Sequence, residues 1–386
     1  MVHIAASPNF AAWAARLDLP FTSIGCDTQA WLADNPDCLT GNPLRMMQGM
    51  RQFFGEQLPV QFEGLRLAAQ GSSAIVFAGL ALSAPSVAEY LRIPVLGVAY
   101  SPCVIPGRNH PPAMVPWQNL PPWINGLLWS MTHRFSKRTF GTPINVGRDR
   151  LGLAPVEIFD HLCRETPWLV AADRTILPPS PEWAMRVPYA SFLFFDDDRS
   201  LDADLADWLA AGEPPVFVGF GSMSGDATVR IGKRLRQALS DSGRRVLLGS
   251  GWAGLGGKDI PPGWRVVGDV PHNRLFKQVA AVIHHGGSGT MATALRAGVP
   301  QVVLPLILDQ YHHAACLHRS ALAPRAGTLE NIRPNELARA LDTALTMDAG
   351  PRKDAARRLS TTPGADLLID QLEQLAAGRV MPAPFP

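Results

Sequence analysis

The chain has 386 residues and a formal net charge of +2, with 47% hydrophobic and 18% charged residues. This length exceeds the usual size of a single hydrophobic core, so two domains are expected. The near-neutral charge gives the protein no special attraction to nucleic acid or to acidic partners.

The cysteines and the apolar runs bear on the cellular compartment. Five cysteines are scattered along the chain without a C-x-x-C pair, which argues against a disulfide framework or a zinc site and indicates a reducing compartment. No apolar run approaches the ~18 residues of a membrane-spanning helix, and the N-terminus lacks the pattern of a signal peptide. We predict a cytoplasmic protein and leave open a peripheral contact with the inner face of the membrane.

The first half of the chain alternates short apolar runs with helix-like segments. Predicted strands lie at 2–6, 74–78 and 94–99, and predicted helices at 10–17 and 86–91. Prolines crowd residues 101–126, and they predict a long irregular loop above the first domain.

The second half alternates more regularly, and alternating strands and helices predict parallel sheets with right-handed crossovers. Strands are predicted from 216, 247, 266, 282 and 301, and helices near 227–240, 273–279, 291–297 and 366–376. A polar stretch before Pro214-Pro215 marks the boundary between the two halves. We predict a first domain at 1–195, a linker at 196–213, a second domain at 214–362 and a C-terminal helix and tail at 363–386.

The most informative segment is VIHHGGSGT at 282–290, followed by Asp309-Gln310. An apolar run breaks into glycines and small hydroxyl residues, and a helix is predicted to follow. A strand, a glycine turn and a helix N-terminus form a site for a diphosphate, because backbone N–H groups are unpaired there and the helix dipole favours negative charge. Glycine lets the phosphate oxygens approach the backbone closely.

Three further strands also end in small, polar or glycine residues. They are followed by GFGSM at 219–223, GSGW at 249–252 and GDVPH at 268–272. Ligands of open parallel sheets lie at the carboxyl ends of the strands. The pattern therefore predicts a nucleotide-sugar site at this edge of the second sheet.

The order and spacing of these motifs resemble a known family. VGFGSM (218–223), GSGW (249–252), DVPHNRLF (269–276), HHGGSGT (284–290), RAGVP (296–300) and DQ (309–310) are similar to the donor half of family 1 glycosyltransferases with the GT-B fold. The likeness is greatest to sterol or lipid glucosyltransferases and to antibiotic glycosyltransferases. It implies an α/β protein in which two Rossmann-like parallel-sheet domains face a cleft.

One departure from this family concerns the start of the chain. Its relatives begin with a strand, a glycine-rich loop and a helix, whereas this sequence opens at VHIAASPNF (2–10), which resembles the second strand of the family. A front βα unit of roughly thirty residues is therefore expected to be absent, and the first domain to be truncated at its N-terminus.

The resemblance implies an inverting hexosyltransferase that uses a UDP- or dTDP-sugar and requires no metal or other cofactor. The residues expected to bind the donor are Ser222, Val270, His284, Gly286, Gly287, Ser288, Gly289, Thr290, Asp309 and Gln310. Backbone N–H groups of the turn, together with His284, would stabilise the leaving diphosphate, and Asp309 and Gln310 would hold sugar hydroxyls. The usual general base lies on the missing loop, so Asp309 is the candidate substitute.

Several of these residues have simpler interpretations. His284 is a ligand contact or a hydrogen-bonded histidine at a strand end, and its neighbour His285 points the other way on a strand and is predicted to be structural. Ser222 contacts phosphate or only caps the following turn. A metal site from His284, His285, His312 and His313 is disfavoured because adjacent strand residues rarely chelate together.

The acceptor side carries a weaker signal. Aromatic and apolar residues stand beside basic ones between Trp117 and Arg138, and such a segment suits a helix at a membrane interface, a wall of an apolar pocket, or core packing. We favour an apolar acceptor such as a sterol, a lipid or a polycyclic natural product. The alternatives are an epimerase of nucleotide sugars and a catalytically impaired nucleotide-sugar-binding protein.

Overall fold

The computed structural model of the chain describes residues 2–35, 43–220, 226–240, 242–249, 260–362, 364–379 and 384–385. The strands of the first half are β1 (Ile4–Ala6), β2 (Phe21–Ser23), β3 (Ile75–Ala78), β4 (Val95–Ala99) and β5 (Trp168–Val170), and those of the second half are β6 (Val216–Gly219), β7 (Val246–Gly249), β8 (Trp264–Val267), β9 (Ala281–His284) and β10 (Gln301–Val303). The paired strands are parallel.

The helices connect these strands and lie on the faces of the sheets. The first half contains α1 (Ala11–Arg16), α2 (Thr28–Asp34), α3 (Pro43–Ala68), α4 (Ala84–Leu91), α5 (Pro122–Arg150) and α6 (Ile158–Asp160). The second half contains α7 (Ala203–Ala210), α8 (Asp226–Ser240), α9 (His272–Leu275), α10 (Ser288–Ala297), α11 (Gln310–Arg319), α12 (Pro334–Thr346), α13 (Gly350–Thr361) and α14 (Gly364–Ala376).

The described residues of the second half form a five-stranded sheet in the order β10-β9-β6-β7-β8. The chain starts at the central strand, builds outward to β8, and then returns to add β9 and β10 on the other side. This reversal makes a crevice at the carboxyl ends of β6 and β9, where open α/β sheets bind their ligands. In the described part of the first half, the strands pair as β1-β2 and as β3-β4-β5. The prediction of an α/β fold with parallel sheets in both halves is confirmed; a truncated first domain stays a prediction.

Alternating residues of the five-stranded sheet bury opposite faces. Val218 and Ile283 pack with Leu341 of α12 on one side. Phe217 and Val282 pack with the helices of the other side. Because both faces are covered, the strands appear in the sequence as continuous apolar runs.

The two halves share buried contacts. A core cluster joins Val170 of β5 to Met291 of α10 and Cys316 of α11. Arg358 of α13 donates from Nε to the buried Asp173 carboxylate of the first half at 2.7 Å. Helix α14 returns to the first half, where its Leu375 packs among residues of β4 and β5.

Some elements differ from the sequence prediction. The predicted linker 196–213 contains α7, whose Leu205 and Leu209 are buried. Helix α5 begins at Pro122, inside the predicted irregular loop 101–126. Helices α3 and α5 also contain internal prolines, Pro59 and Pro143, although proline usually interrupts a helix. Within the described ranges, we find no helix that combines the length and the hydropathy of a membrane-spanning segment.

Candidate functional site

The glycine turn lies between β9 and α10, at the crevice of the second sheet. Strand β9 is buried along its whole length and ends at His284. Gly286 then takes φ +94°, a conformation that favours glycine, and a Cβ there would lie 2.9 Å from Val303 Cγ1. Gly287 is the N-cap of α10, so the first N–H groups of that helix face the end of the sheet, as an anion site requires.

His284 is fully buried and holds this turn from inside. The backbone N–H of Gly286 donates to His284 Nδ1 at 3.1 Å, which leaves the ring proton on Nε2, 2.9 Å from Gln301 Oε1. Burial lowers the pKa of His284 to about 3, although the hydrogen bond with Gln301 opposes this shift. The neutral ring therefore has both nitrogens engaged within the protein.

His285, by contrast, lines the large cavity beside the turn. Its Nε2 would lie 2.6 Å from a Cβ on Gly287, and its Nδ1 has no hydrogen-bond partner among the described residues. Burial lowers the pKa of His285, while the Asp309 carboxylate opposes that shift. The sequence prediction treated His285 as structural; the structure places its ring at the cavity and the ring of His284 in the interior.

The cavity has a volume of about 680 Å³ and lies at the carboxyl ends of the central strands. Its floor includes Gly219 and Gly249, which end β6 and β7. Gly289 and Thr290 bring the first turn of α10 to one wall. A cavity of this size accommodates a drug-sized ligand.

Another part of the cavity lining is an apolar and largely aromatic wall. It comes from the segment before the predicted linker and from the strand ends and α9, and its members are Leu193, Phe194, Phe195, Phe217, Phe220, Val270 and His272. At the rim, Arg199 donates to Asp269 Oδ2 at 3.0 Å and to Asp197 Oδ1 at 2.9 Å. An apolar wall with a few polar groups is the usual composition of a small-molecule site.

Asp309 and Gln310 lie at the start of α11, after the positive-φ residue Leu308 (φ +53°). Asp309 is the N-cap residue, but its side chain makes no capping hydrogen bond. Gln310 Oε1 accepts hydrogen bonds from the backbone N–H groups of Leu306 and Ile307 at 2.9 and 3.0 Å. The side-chain carbonyl of Gln310 thus holds the loop after β10 in place. The NH₂ group of the same side-chain amide is left for other partners.

The predicted donor residues do not all line the cavity. Val270, Gly289 and Thr290 line the cavity. Ser288 Oγ donates to Tyr100 O of the first half at 3.4 Å, and Ser222 lies outside the described residues. Among the described residues, no group of three or more His, Cys, Asp or Glu side chains is arranged to hold a metal ion; donor binding without a metal stays a prediction.

Comparisons with known proteins identify the family of the chain. The family described as "Erythromycin biosynthesis protein CIII-like, C-terminal domain" matches residues 253–366. The vancomycin aglycone glucosyltransferase of Amycolatopsis orientalis is 34% identical to this chain, over 97% of this chain and 91% of its own length. The chain belongs to the family 1 glycosyltransferases with the GT-B fold.

This glycosyltransferase is also similar to a plant enzyme and to a solved structure. A sterol 3-beta-glucosyltransferase of Arabidopsis thaliana, UGT80B1, is 28% identical over 84% of this chain and 55% of its own length. The crystal structure of glycosyltransferase VinC in complex with DTDP superposes with a TM-score of 0.65 at 19% identity, covering 97% of this chain and 92% of that one. The chain is thus a glycosyltransferase of the antibiotic and sterol glucosyltransferase type.

Sequence reasoning missed the aromatic wall of this glycosyltransferase. Leu193, Phe194 and Phe195 precede the linker and belong to no motif, yet they line the cavity of the second half. Their only signal in the sequence is a run of apolar residues next to the polar segment 196–198. That signal does not indicate which sheet the residues will contact.

Proposed function

We propose that this glycosyltransferase moves a hexose from a UDP- or dTDP-sugar to a hydroxyl of an apolar acceptor, with inversion at the anomeric carbon. The observation that carries the proposal is the cavity of about 680 Å³ that Gly289 and Thr290 of α10 border at the strand ends. A nucleoside diphosphate fits a site that combines helix N–H groups with an apolar wall. The bound DTDP of the VinC structure supports the same class of ligand.

In the proposed reaction, the acceptor oxygen attacks the anomeric carbon while the nucleoside diphosphate leaves. Negative charge grows on the diphosphate, and the N–H groups of the first turn of α10 are fixed in place to receive it. Asp309 accepts hydrogen bonds from sugar hydroxyls, and the Gln310 amide donates to them. Asp309 is also the candidate for the group that removes the acceptor proton.

The apolar acceptor class is proposed from the relatives and from the composition of the first half. The relatives named above act, by their names, on the vancomycin aglycone and on sterols. Helix α5 of this chain exposes Trp123, Leu127 and Met131, and Gln118, just before that helix, is 3.2 Å from His312 Nδ1 of the second half. Helix α5 thus presents apolar surface, and the segment just before it contacts the second half.

The proposed donor class is tested by calorimetric binding of UDP and of dTDP to the unmodified chain and to His284→Ala. We expect the unmodified chain to bind at least one nucleotide. We expect His284→Ala to bind it about tenfold more weakly, because the turn loses the acceptor for the Gly286 N–H. Circular dichroism serves as the folding control for both proteins. A folded, unmodified chain that binds neither nucleotide would overturn the proposal, and product formation without an acceptor would indicate the epimerase instead.

We also propose that α5 contacts the surface of an anionic membrane. Trp123, Leu127 and Met131 follow each other at helical spacing and are 71%, 56% and 56% exposed. The basic residues Arg134, Lys137 and Arg138 continue on the same exposed side of the helix. Core packing was one of the three interpretations of this segment. It holds for Trp129, which is buried and donates from Nε1 to His110 O. It does not hold for the exposed residues.

Vesicle flotation tests this contact. The chain is expected to float with vesicles that contain anionic phospholipid and less with purely zwitterionic ones, because apolar insertion and cationic attraction act together. The double variant Trp123→Ser/Leu127→Ser should lose flotation, whereas Met185→Ser, which changes another exposed apolar residue (93% exposed), should not. Equal recovery of all three proteins in the floating fraction would contradict the proposal.

A further inference from the structure

His313 is a buried imidazole beneath the glycine turn, on the first turns of α11. Its side chain is fully buried, and its Nδ1 lies 2.7 Å from the backbone carbonyl oxygen of Gly286. A carbonyl oxygen only accepts hydrogen bonds, so Nδ1 carries the proton and donates it. His313 therefore fixes the orientation of the peptide at the centre of the turn.

The other nitrogen of this ring points towards Asp309. His313 Nε2 is 3.8 Å from Asp309 Oδ2, and in the part of the chain that the structure describes it has no hydrogen-bond partner. A distance of 3.8 Å is too long for a hydrogen bond, and an unpaired buried nitrogen costs free energy. The Asp309 side chain is 28% exposed, so a small rotation brings the carboxylate within reach of Nε2, which donates to it when the ring carries a proton on this nitrogen as well as on Nδ1.

The glycine turn and the start of α11 also pack directly on each other. A Cβ on Gly286 would meet the carbonyl oxygen of Gln310 at 3.4 Å, and the Gly286 N–H is held by His284 from the opposite side. The buried ring of His313 thus lies between two elements that carry different parts of the proposed donor site.

We propose that His313 is a positioning residue that couples the diphosphate end of the donor to its sugar end. The inference rests on the proposed function, in which the turn holds the diphosphate and Asp309 holds sugar hydroxyls. One ring sets the orientation of the Gly286 peptide through Nδ1 and the orientation of the Asp309 carboxylate through Nε2. Reaction requires both to be correct at once, because small displacements of the donor lower the transfer rate strongly.

Three substitutions separate the two contacts of the ring. Asparagine places its amide nitrogen near the position of Nδ1, and so keeps the bond to Gly286 while losing the contact with Asp309. Glutamine reaches the position of Nε2, and so keeps the contact with Asp309 while losing the bond to Gly286. Phenylalanine keeps the bulk of the ring and loses both contacts.

Each variant is measured by calorimetric binding of the bare nucleotide, UDP or dTDP, and by the kcat and donor KM of transfer. We expect His313→Asn to bind the nucleotide nearly as the unmodified chain does but to transfer about tenfold more slowly. His313→Gln should bind about tenfold more weakly and keep most of kcat, and His313→Phe should show both losses. A residue that only fills space would give no such separation between binding and turnover.

His312→Asn is the matched control, because His312 is the neighbouring buried imidazole of the same helix and contacts Gln118 and Cys316 instead. It should lower thermal stability while leaving nucleotide affinity unchanged. Equal nucleotide affinity in His313→Asn and His313→Phe would overturn the inference, and so would unchanged transfer in all three variants. If His313→Phe does not fold, the opposite effects expected of the asparagine and glutamine variants still distinguish a coupling role of His313 from a space-filling one. An unmodified chain that binds no nucleotide would overturn the proposed function, and this inference with it.

Discussion

Gly289→Leu is expected to abolish nucleotide binding and transfer while leaving the chain folded. Gly289 is the second residue of α10 and lines the cavity, and a Cβ there meets no heavy atom within 4 Å. The leucine side chain therefore extends into the space that the donor is proposed to fill, without a clash inside the protein. The expected loss of affinity is about 100-fold or more, because a well-filled site does not accept several extra carbon atoms.

The control for this prediction is Gly55→Leu. Gly55 lies in α3, is exposed, and likewise has no heavy atom within 4 Å of the position of a Cβ. Both leucines are compatible with a helix, where they are favoured over glycine. A thermal melt should show that both variants are folded. Calorimetry with UDP and dTDP should show that Gly55→Leu binds nucleotide and that Gly289→Leu does not. Full affinity in Gly289→Leu would mean that the donor is bound elsewhere.

The second large effect is expected on stability, from the buried guanidinium of Arg148. Its side chain is 2% exposed and donates from Nη1 to Glu89 at 2.8 Å and to Ser86 at 3.0 Å, and from Nε to the carbonyl of Ala154 at 2.7 Å. It thereby joins α5 to α4 and to the loop that follows α5. Replacing Glu89 leaves this cation buried without its counter-charge, which is more costly than losing both charges together.

We expect Glu89→Gln and Arg148→Met each to lower the free energy of unfolding by about 2–3 kcal/mol, less than for a fully buried pair. This discount reflects the 48% exposure of the Glu89 side chain. The double variant should lose clearly less than the sum of the two, with a coupling of about 1 kcal/mol or more in chemical denaturation. Additive losses would show that the two groups are not coupled. The double variant is expected to lose less than the sum of the single variants because replacing both charges leaves no buried ion.

The same pair predicts a dependence on pH. The hydrogen bond from Arg148 lowers the pKa of Glu89 from its ordinary value of 4.5. A carboxyl whose pKa is lower in the folded state contributes stability above its unfolded pKa and loses it as the pH falls through the folded pKa. The stability difference between the unmodified chain and Glu89→Gln should therefore shrink as the pH falls below about 4.5. A difference that stays constant down to acid denaturation would rule out this linkage.

The elements of the donor half could be predicted from the sequence because the residue patterns that mark them are local. Apolar runs that end in glycine mark buried parallel strands, and Gly298 after α10 adopts the left-handed conformation of a helix C-cap. The residues of β9, the turn and α10 are adjacent in the chain, so their geometry follows from a short segment. Local signals are weaker at α3 and α5, where Pro59 and Pro143 lie inside helices that pack on the core of the first half.

The orientation of side chains in the site was not readable. Strand alternation indicates that His284 and His285 face opposite sides, but it does not say which side is the cavity. The partner Gln301 on the adjacent strand decides this, because it binds His284 in the interior. The role inferred for His313 likewise depends on Gly286, which is distant in sequence and brought close by the packing of α11 under the turn.

The sequence by itself determined the class of fold, the order of the strands along the chain and the position of the glycine turn, because hydrophobic periodicity and backbone preference act over a few residues. The tertiary structure alone decided the strand order in the sheet, the cavity wall from Leu193, Phe194 and Phe195, and the position of His313 between Gly286 and Asp309. These features depend on contacts between segments far apart in the chain, and such contacts are selected by packing and hydrogen bonding of the whole core.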